Sequence, residues 1–201
     1  MEEQMIIAIG REFGSGGRQI TKELACRFHL PVYDKSILEE IAVEHGLNAE
    51  LLRRYDEKPR NFFNFRRVRG FSNSPEENVA QLQARFLQAR ADAGESFIVL
   101  GRCGEEVLRD YENMISIFIL ADIAFKKRRT MEHDNTPEEA ALELMNRKDL
   151  SRKYYHNQYC KGKWGDSRNY DLCVNSARLG IEGTTDMLEA YINARMGYGF
   201  K

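Results

Sequence analysis

The sequence predicts a layered α/β fold built on a parallel sheet, and three observations carry that prediction. Short, almost uninterrupted apolar runs recur at residues 5–9, 31–33, 97–100, 115–120 and 172–174. Runs of this kind suit strands buried on both faces by covering helices. Segments with helical periodicity separate them, so strand and helix alternate along the chain. The first run, Met5-Ile6-Ile7-Ala8-Ile9-Gly10, leads into Gly14-Ser15-Gly16-Gly17-Arg18 and then into the helix-like Gln19-Ile20-Thr21-Lys22-Glu23-Leu24-Ala25.

Taken in order, helices are expected at 18–28, 35–45, 48–57, 75–93, 105–109, 123–132, 137–155 and 181–195. Pro75 and Pro137 follow Ser74 and Thr136 and so mark helix starts, while Gly46 and Gly94 lie just past helix ends. Neither an internal repeat nor a low-complexity linker interrupts the pattern. A chain of 201 residues suffices for one core-forming domain with an excursion.

Composition narrows the function classes. Thirty Lys and Arg against 31 Asp and Glu leave a net charge of -1, which does not call for nucleic acid or an anionic membrane as partner. Cys26, Cys103, Cys160 and Cys173 form no C-x-x-C pair, and the start lacks a basic segment followed by an apolar one. The expectation is a soluble, cytoplasmic protein with reduced thiols and no membrane partner. No apolar run reaches the roughly 20 residues that a membrane helix needs.

A buried strand, a glycine loop and a helix N-terminus together make a phosphate cradle, because backbone N–H groups can face an anion. The usual loop, G-x-x-x-x-G-K-[ST], would place Lys at 17 with a hydroxyl residue beside it, but Gly17 and Arg18 stand there. Arg18 can supply the cation from a different backbone position, since a guanidinium binds phosphate as a fork. Gly14, Ser15, Gly16, Gly17, Arg18 and Gln19 are therefore the candidate cradle. No Ser or Thr directly follows the turn; Gln19 and, farther along, Thr21 are nearest, which leaves the metal ligand unassigned.

Two segments depart from the sheet pattern. Residues 58–74 interleave Phe62, Phe63, Phe65 and Phe71 with Arg60, Arg66, Arg67 and Arg69. That composition suits single-stranded nucleic acid, or a loop docked on neighbouring helices; with so balanced a chain, no nucleic-acid partner is expected. The second, Arg147-Lys148-Asp149-Leu150-Ser151-Arg152-Lys153-Tyr154-Tyr155, runs on to Gly162, Trp164 and Gly165. It reads either as a solvated helix face or as a lid that brings arginines to a reacting phosphate.

These motifs together resemble the cytidylate kinase-like family of P-loop phosphotransferases. The resemblance spans nearly the whole chain: I-G-R-E-F-G-S-G-G-R from Ile9, Y-D-K from Tyr33, L-G-R-C-G from Leu100, N-R-K-D-L-S-R-K-Y-Y from Asn146, W-G-D-S-R-N-Y-D-L from Trp164 and V-N-S from Val174. It implies a three-layer P-loop kinase fold, a five-stranded parallel sheet of order 2-3-1-4-5 flanked by helices with a helical lid. On that reading 1–201 is one domain, with an acceptor-binding helical region at about 35–95 and a lid at about 146–168.

The resemblance also implies roles. Asp34 would contact the acceptor or its sugar, although its position equally suits capping of the next helix. Arg102 would bind the acceptor monophosphate or base, and Cys103 stands where cytidylate kinases carry an acid. Arg128 or Arg129 would clamp phosphate, with Arg129 the preferred candidate. Arg147 and Arg152 would stabilise the transferred phosphoryl group alongside Arg18, and Asp149 would hold the acceptor ribose or orient an arginine. The implied activity is ATP- and Mg²⁺-dependent phosphorylation of a nucleoside monophosphate, with CMP or dCMP leading. The alternatives are a nucleotide-binding regulatory protein without catalysis, or a kinase of another small metabolite.

Overall fold

The computed structural model describes residues 3–56, 67–68, 71–72 and 74–197, the four residues of 67–68 and 71–72 by backbone alone. The chain opens with β1 (Ile6–Arg11), α1 (Gly17–Phe28), β2 (Val32–Tyr33), α2 (Ile37–His45) and α3 (Ala49–Tyr55). A two-stranded antiparallel pair follows, β3 (Arg67–Val68) with β4 (Phe71–Ser72), before α4 (Pro75–Asp92), β5 (Phe97–Leu100) and α5 (Gly104–Val107). The rest of the chain holds β6 (Met114–Leu120), α6 (Ile123–Asp134), α7 (Glu138–Tyr159), β7 (Leu172–Asn175) and α8 (Ser176–Arg195). Most of the Phe–Arg run at 58–74 lies outside the described residues.

Five strands form one parallel sheet in the order β2-β5-β1-β6-β7. Numbered among themselves along the chain, they stand 2-3-1-4-5, as the resemblance implied. β1 sits at the centre, with Ile6 opposite Phe97 on one side and Met114 on the other.

The alternation of side chains along β1 divides the core between two faces. Ile6 and Ala8 join Phe97, Val99, Leu38 and Leu87 under α2 and α4. Ile7 and Ile9 join Ile98, Ile115, Ile20 and Leu188 under α1 and α8. Each Ile, Leu, Val or Phe among them, fully removed from water, contributes about 1.5–3 kcal/mol, so strands this apolar are committed to a three-layer arrangement.

Local signals explain the helix ends. Ser74 Oγ accepts the Glu77 N–H at 3.4 Å with Pro75 in the first turn, and Gly46 closes α2 at φ 64°. α7 runs four residues beyond the expected end at 155, since Tyr155 and His156 still bury a face. α8 carries an extra first turn, capped by Asn175, before a break at Gly180 (φ 70°, ψ −175°); the expected start at 181 is that break. Among the described residues no helix is long and apolar enough to cross a membrane.

Candidate active site

A cleft of about 590 Å³ opens above the carboxyl ends of the central strands, where ligands gather in open parallel sheets. Its floor is the turn between β1 and α1. Gly14 and Gly16 both adopt φ 78°, and a Cβ on Gly14 would lie 2.8 Å from the Lys126 carbonyl oxygen. Only glycine fits there without moving backbone. The first turn of α1 presents N–H groups with no intrahelical partner, at the positive end of the helix dipole. Ser15 anchors the loop from below: it is fully buried, its Oγ donates to the Glu12 carbonyl at 2.8 Å, and its own carbonyl accepts from Ser176 Oγ at 2.6 Å. Gly14, Gly16, Gly17, Arg18 and Gln19 line the cleft, whereas Ser15 supports it.

Among the described residues, eight Lys or Arg line the cleft against three carboxylates, so a chain nearly neutral overall concentrates positive potential here. Arg18 is 60% exposed and meets Asp34 Oδ2 at 2.8 Å. Asp34 Oδ1 accepts the Ser36 N–H at 2.9 Å ahead of α2. One oxygen therefore serves the local turn while the other faces the cleft. Burial pushes the Asp34 carboxyl up, but the Ser36 N–H and the Arg18 guanidinium outweigh it and hold the group below the usual carboxylate range. Arg129, not Arg128, lines the cleft, and it donates to Gln19 Oε1 at 3.2 Å. Partial burial holds the Arg129 guanidinium below its ordinary pKa. Thr21 is spent inside α1, donating to the Gly17 carbonyl at 2.7 Å.

Asp149 lies beneath the loop rather than on the cleft wall. It accepts the Phe13 N–H at 2.6 Å, meets Lys126 Nζ at 3.3 Å and holds Arg152 at 3.5 Å. Burial pushes its carboxyl above the usual range, opposed by the Phe13 N–H, Lys126 and Arg152. Arg152 also donates to the Arg11 carbonyl at 3.3 Å, which ties α7 to the end of β1. Lys148, Ser151 and Arg152 line the cleft from one face of α7. Arg147 is exposed and is not among the lining residues. One residue turns a helix by about 100°, so Lys148 and not Arg147 shares a face with Arg152.

Across the cleft, Arg102 follows β5 at φ 60° with its side chain only 3% exposed. Its guanidinium pairs with Asp56 beyond α3 and reaches Gln83 Oε1 on α4 at 3.3 Å. Gln83 Nε2 donates to the same Asp56 at 3.0 Å, closing a three-residue network. Cys103 beside it is buried and begins α5.

Reasoning from motifs missed four of these residues. Arg11 packs under Gly17 and against Gly101, and the run from Ile9 already contained it. Lys148 stands four residues before Arg152, a spacing that signals a shared helix face. Asp56 and Gln83 carry no local signal, since they meet Arg102 across 46 and 19 residues.

The chain is similar to known proteins in sequence and in fold. Residues 6–178 match the cytidylate kinase-like family. A cytidylate kinase from Methanococcus vannielii is 26% identical over 94% of this chain and 99% of its own, and one from Pyrobaculum islandicum is 25% identical over 98% and 97%. The crystal structure of an uncharacterized protein from Eubacterium ventriosum is 38% identical, with a TM-score of 0.76 over 95% of this chain and 99% of that one. Shikimate kinase from Bacteroides thetaiotaomicron, 14% identical, shares the fold at a TM-score of 0.56 over 94% and 98%. With the family matched across most of the chain and the P-loop kinase fold in place, this protein belongs to the cytidylate kinase-like family.

Proposed function

We propose that this chain is an ATP- and Mg²⁺-dependent phosphotransferase acting on a nucleoside monophosphate, with CMP or dCMP as the leading acceptor. The observation that carries the reading is the glycine turn at the start of α1, opening on a cleft whose cations come from both its walls. Phosphoryl transfer needs positioning and charge neutralisation more than covalent chemistry, so a cradle and arginines without a nucleophile suit it. The cytidylate kinases similar to this chain over nearly its whole length support the acceptor.

In this reading the backbone N–H groups at Gly16 and Gly17 hold the donor phosphates. Arg18 swings from Asp34 onto them, an exchange made easy by its exposure. Arg129 and Gln19 close the donor side, while Arg102, fixed by Asp56 and Gln83, receives the acceptor with Asp34 nearby. The whole chain works as one kinase unit, with the acceptor on helices of about 35–95 and a lid at about 146–168. Arg152 acts on charge that develops in transfer, Asp149 keeps it aimed, and Arg147 joins only when the lid closes.

The donor set also fits Mg²⁺, a hard cation that takes oxygen ligands and shares them with phosphates. Glu12, Asp34 and Asp134 are the cleft carboxylates among the described residues that would hold the ion, which would neutralise phosphate charge.

One observation favours a second reading, nucleotide binding without turnover: Gly17 stands where the P-loop lysine is expected. ADP formation from Mg-ATP, measured over a panel of nucleoside monophosphates, separates the two. Turnover that depends on CMP or dCMP, falling at least about tenfold in kcat for Arg152→Ala with ATP affinity little changed, is the expected result. ATP binding without turnover on any acceptor would establish the second reading instead.

A further inference from the structure

Away from the phosphate cleft, three chemically different donor groups converge where α7 ends. We propose that Glu105, His156 and Cys160 form a binding site for a zinc-type divalent metal ion. A Glu105 carboxylate oxygen, a His156 ring nitrogen and Cys160 Sγ all lie within 4.8 Å of one another. Glu105 and His156 are buried and Cys160 is half-buried.

The helix dictates this convergence. Cys160 caps the end of α7 four residues after His156, and its N–H donates to the His156 carbonyl at 2.8 Å, which brings the two to the same side of the helix end. Glu105 comes from the first turn of α5, directly after Arg102 and Cys103. The site therefore joins the segment behind the proposed acceptor arginine to the end of the proposed lid helix.

Ligand chemistry selects the ion. A carboxylate, an imidazole and a thiolate make a mixed oxygen, nitrogen and sulfur set that suits borderline Zn²⁺ and not Mg²⁺ or Ca²⁺, which take oxygen alone. Charge agrees: with Glu105 and Cys160 ionised and His156 neutral, a divalent ion brings the three-ligand site to zero, the state a buried site favours. Arg102 and Arg152 line the small gap beside the cluster but are engaged elsewhere, on Asp56 and Gln83 and on Asp149 and the Arg11 carbonyl. Cys103 lines the same small gap and is the candidate fourth donor.

His156 Nε2 now lies 2.5 Å from Glu105 Oε1, a hydrogen bond rather than two ligands of one ion. Tetrahedral zinc bonds of about 2.0–2.2 Å set neighbouring N and O donors roughly 3.3 Å apart, so metal would replace this hydrogen bond after a spread below about 1 Å.

The test uses the full-length chain, stripped with a chelator under reductant and titrated with Co²⁺ and then Zn²⁺. The expected result is one ion per chain, with a sulfur-to-cobalt charge-transfer band that zinc abolishes. Cys160→Ser should remove the band, and His156→Ala should weaken Co²⁺ binding at least about tenfold, each variant keeping the circular dichroism of the parent. Loss of the band in Cys103→Ser as well would identify the fourth ligand and support the site. Failure of the parent to bind at micromolar metal, or an unchanged band and affinity in the Cys160→Ser, His156→Ala double variant, would overturn the proposal. Both readouts are independent of kinase turnover.

Discussion

Two of the arginine–aspartate pairs at the cleft, one on the α1 side and one behind β5, differ in everything but composition. Arg18 and Asp34 meet at 2.8 Å with the arginine 60% and the aspartate 18% exposed, whereas Arg102 and Asp56 meet with exposures of 3% and 14%. Water competes for the first pair, so its net worth is below about 1 kcal/mol and Arg18 exchanges partners readily. The second pair has little water to return to, and each partner depends on the other. Under the proposed function the comparison teaches that the site would use both kinds of charge: one free to leave its partner for the ligand, and one held still to set where the ligand lands.

The buried pair offers the sharpest way to break that contrast. Asp56→Ala leaves the Arg102 guanidinium buried without its carboxylate and should cost about 3–5 kcal/mol of folding free energy. Asp34→Ala at the exposed pair should cost below about 1 kcal/mol by the same denaturant titration. Similar losses in both variants would erase the distinction.

A backbone change between the pairs comes next in size. Gly14→Ala forces a left-handed conformation on alanine and drives its Cβ to 2.8 Å from the Lys126 carbonyl. Strain and overpacking together should cost about 2–4 kcal/mol and weaken ATP binding, as thermal melts with and without nucleotide will show. Gly46→Ala, also at positive φ but with open space around its Cβ, should lose only the conformational part, near 1 kcal/mol.

The smallest effect is a difference in titration. Asp34 is held below the ordinary carboxyl pKa of about 3.9 and Asp149 above it. The Asp34 contribution to stability is present above its unfolded pKa and is lost as pH falls through the lower folded value. Asp149 has the opposite sign: the folded state takes up its proton first, so its charge on Lys126 and Arg152 weakens at a higher pH. Carboxyl carbon resonances followed by NMR should show Asp149 titrating before Asp34 as acid is added. The reverse order would contradict the burial argument.

How much of this was legible in the sequence follows from how each part is built. The sheet and the glycine turn are made by contiguous residues, so β1, Gly14, Gly16 and Gly17 could be read directly. Strand order is set by crossovers between distant segments and came only with the family resemblance. Asp56 and Gln83 were invisible because three separate elements bring them to Arg102. Arg147 was favoured by motif over Lys148, and helix phase alone separates the two. For Asp149 the sequence leaves two roles open, holding the acceptor ribose or orienting an arginine; its place below the loop, 3.5 Å from Arg152, depends on the depth of α7 and not on residue type.

The central claim is that the two arginines divide the labour, Arg18 serving the phosphate donor and Arg102 the acceptor. Steady-state KM values for Mg-ATP and for the acceptor, measured in Arg18→Ala and Arg102→Lys, test it most directly. Loss of a charged hydrogen bond to phosphate, about 1.5–3 kcal/mol, predicts a ten- to hundredfold rise in the ATP KM for Arg18→Ala and a comparable rise in the acceptor KM for Arg102→Lys, with the other constant in each variant within about threefold. Equal effects on both substrates in both variants, or an exchanged pattern, would contradict it.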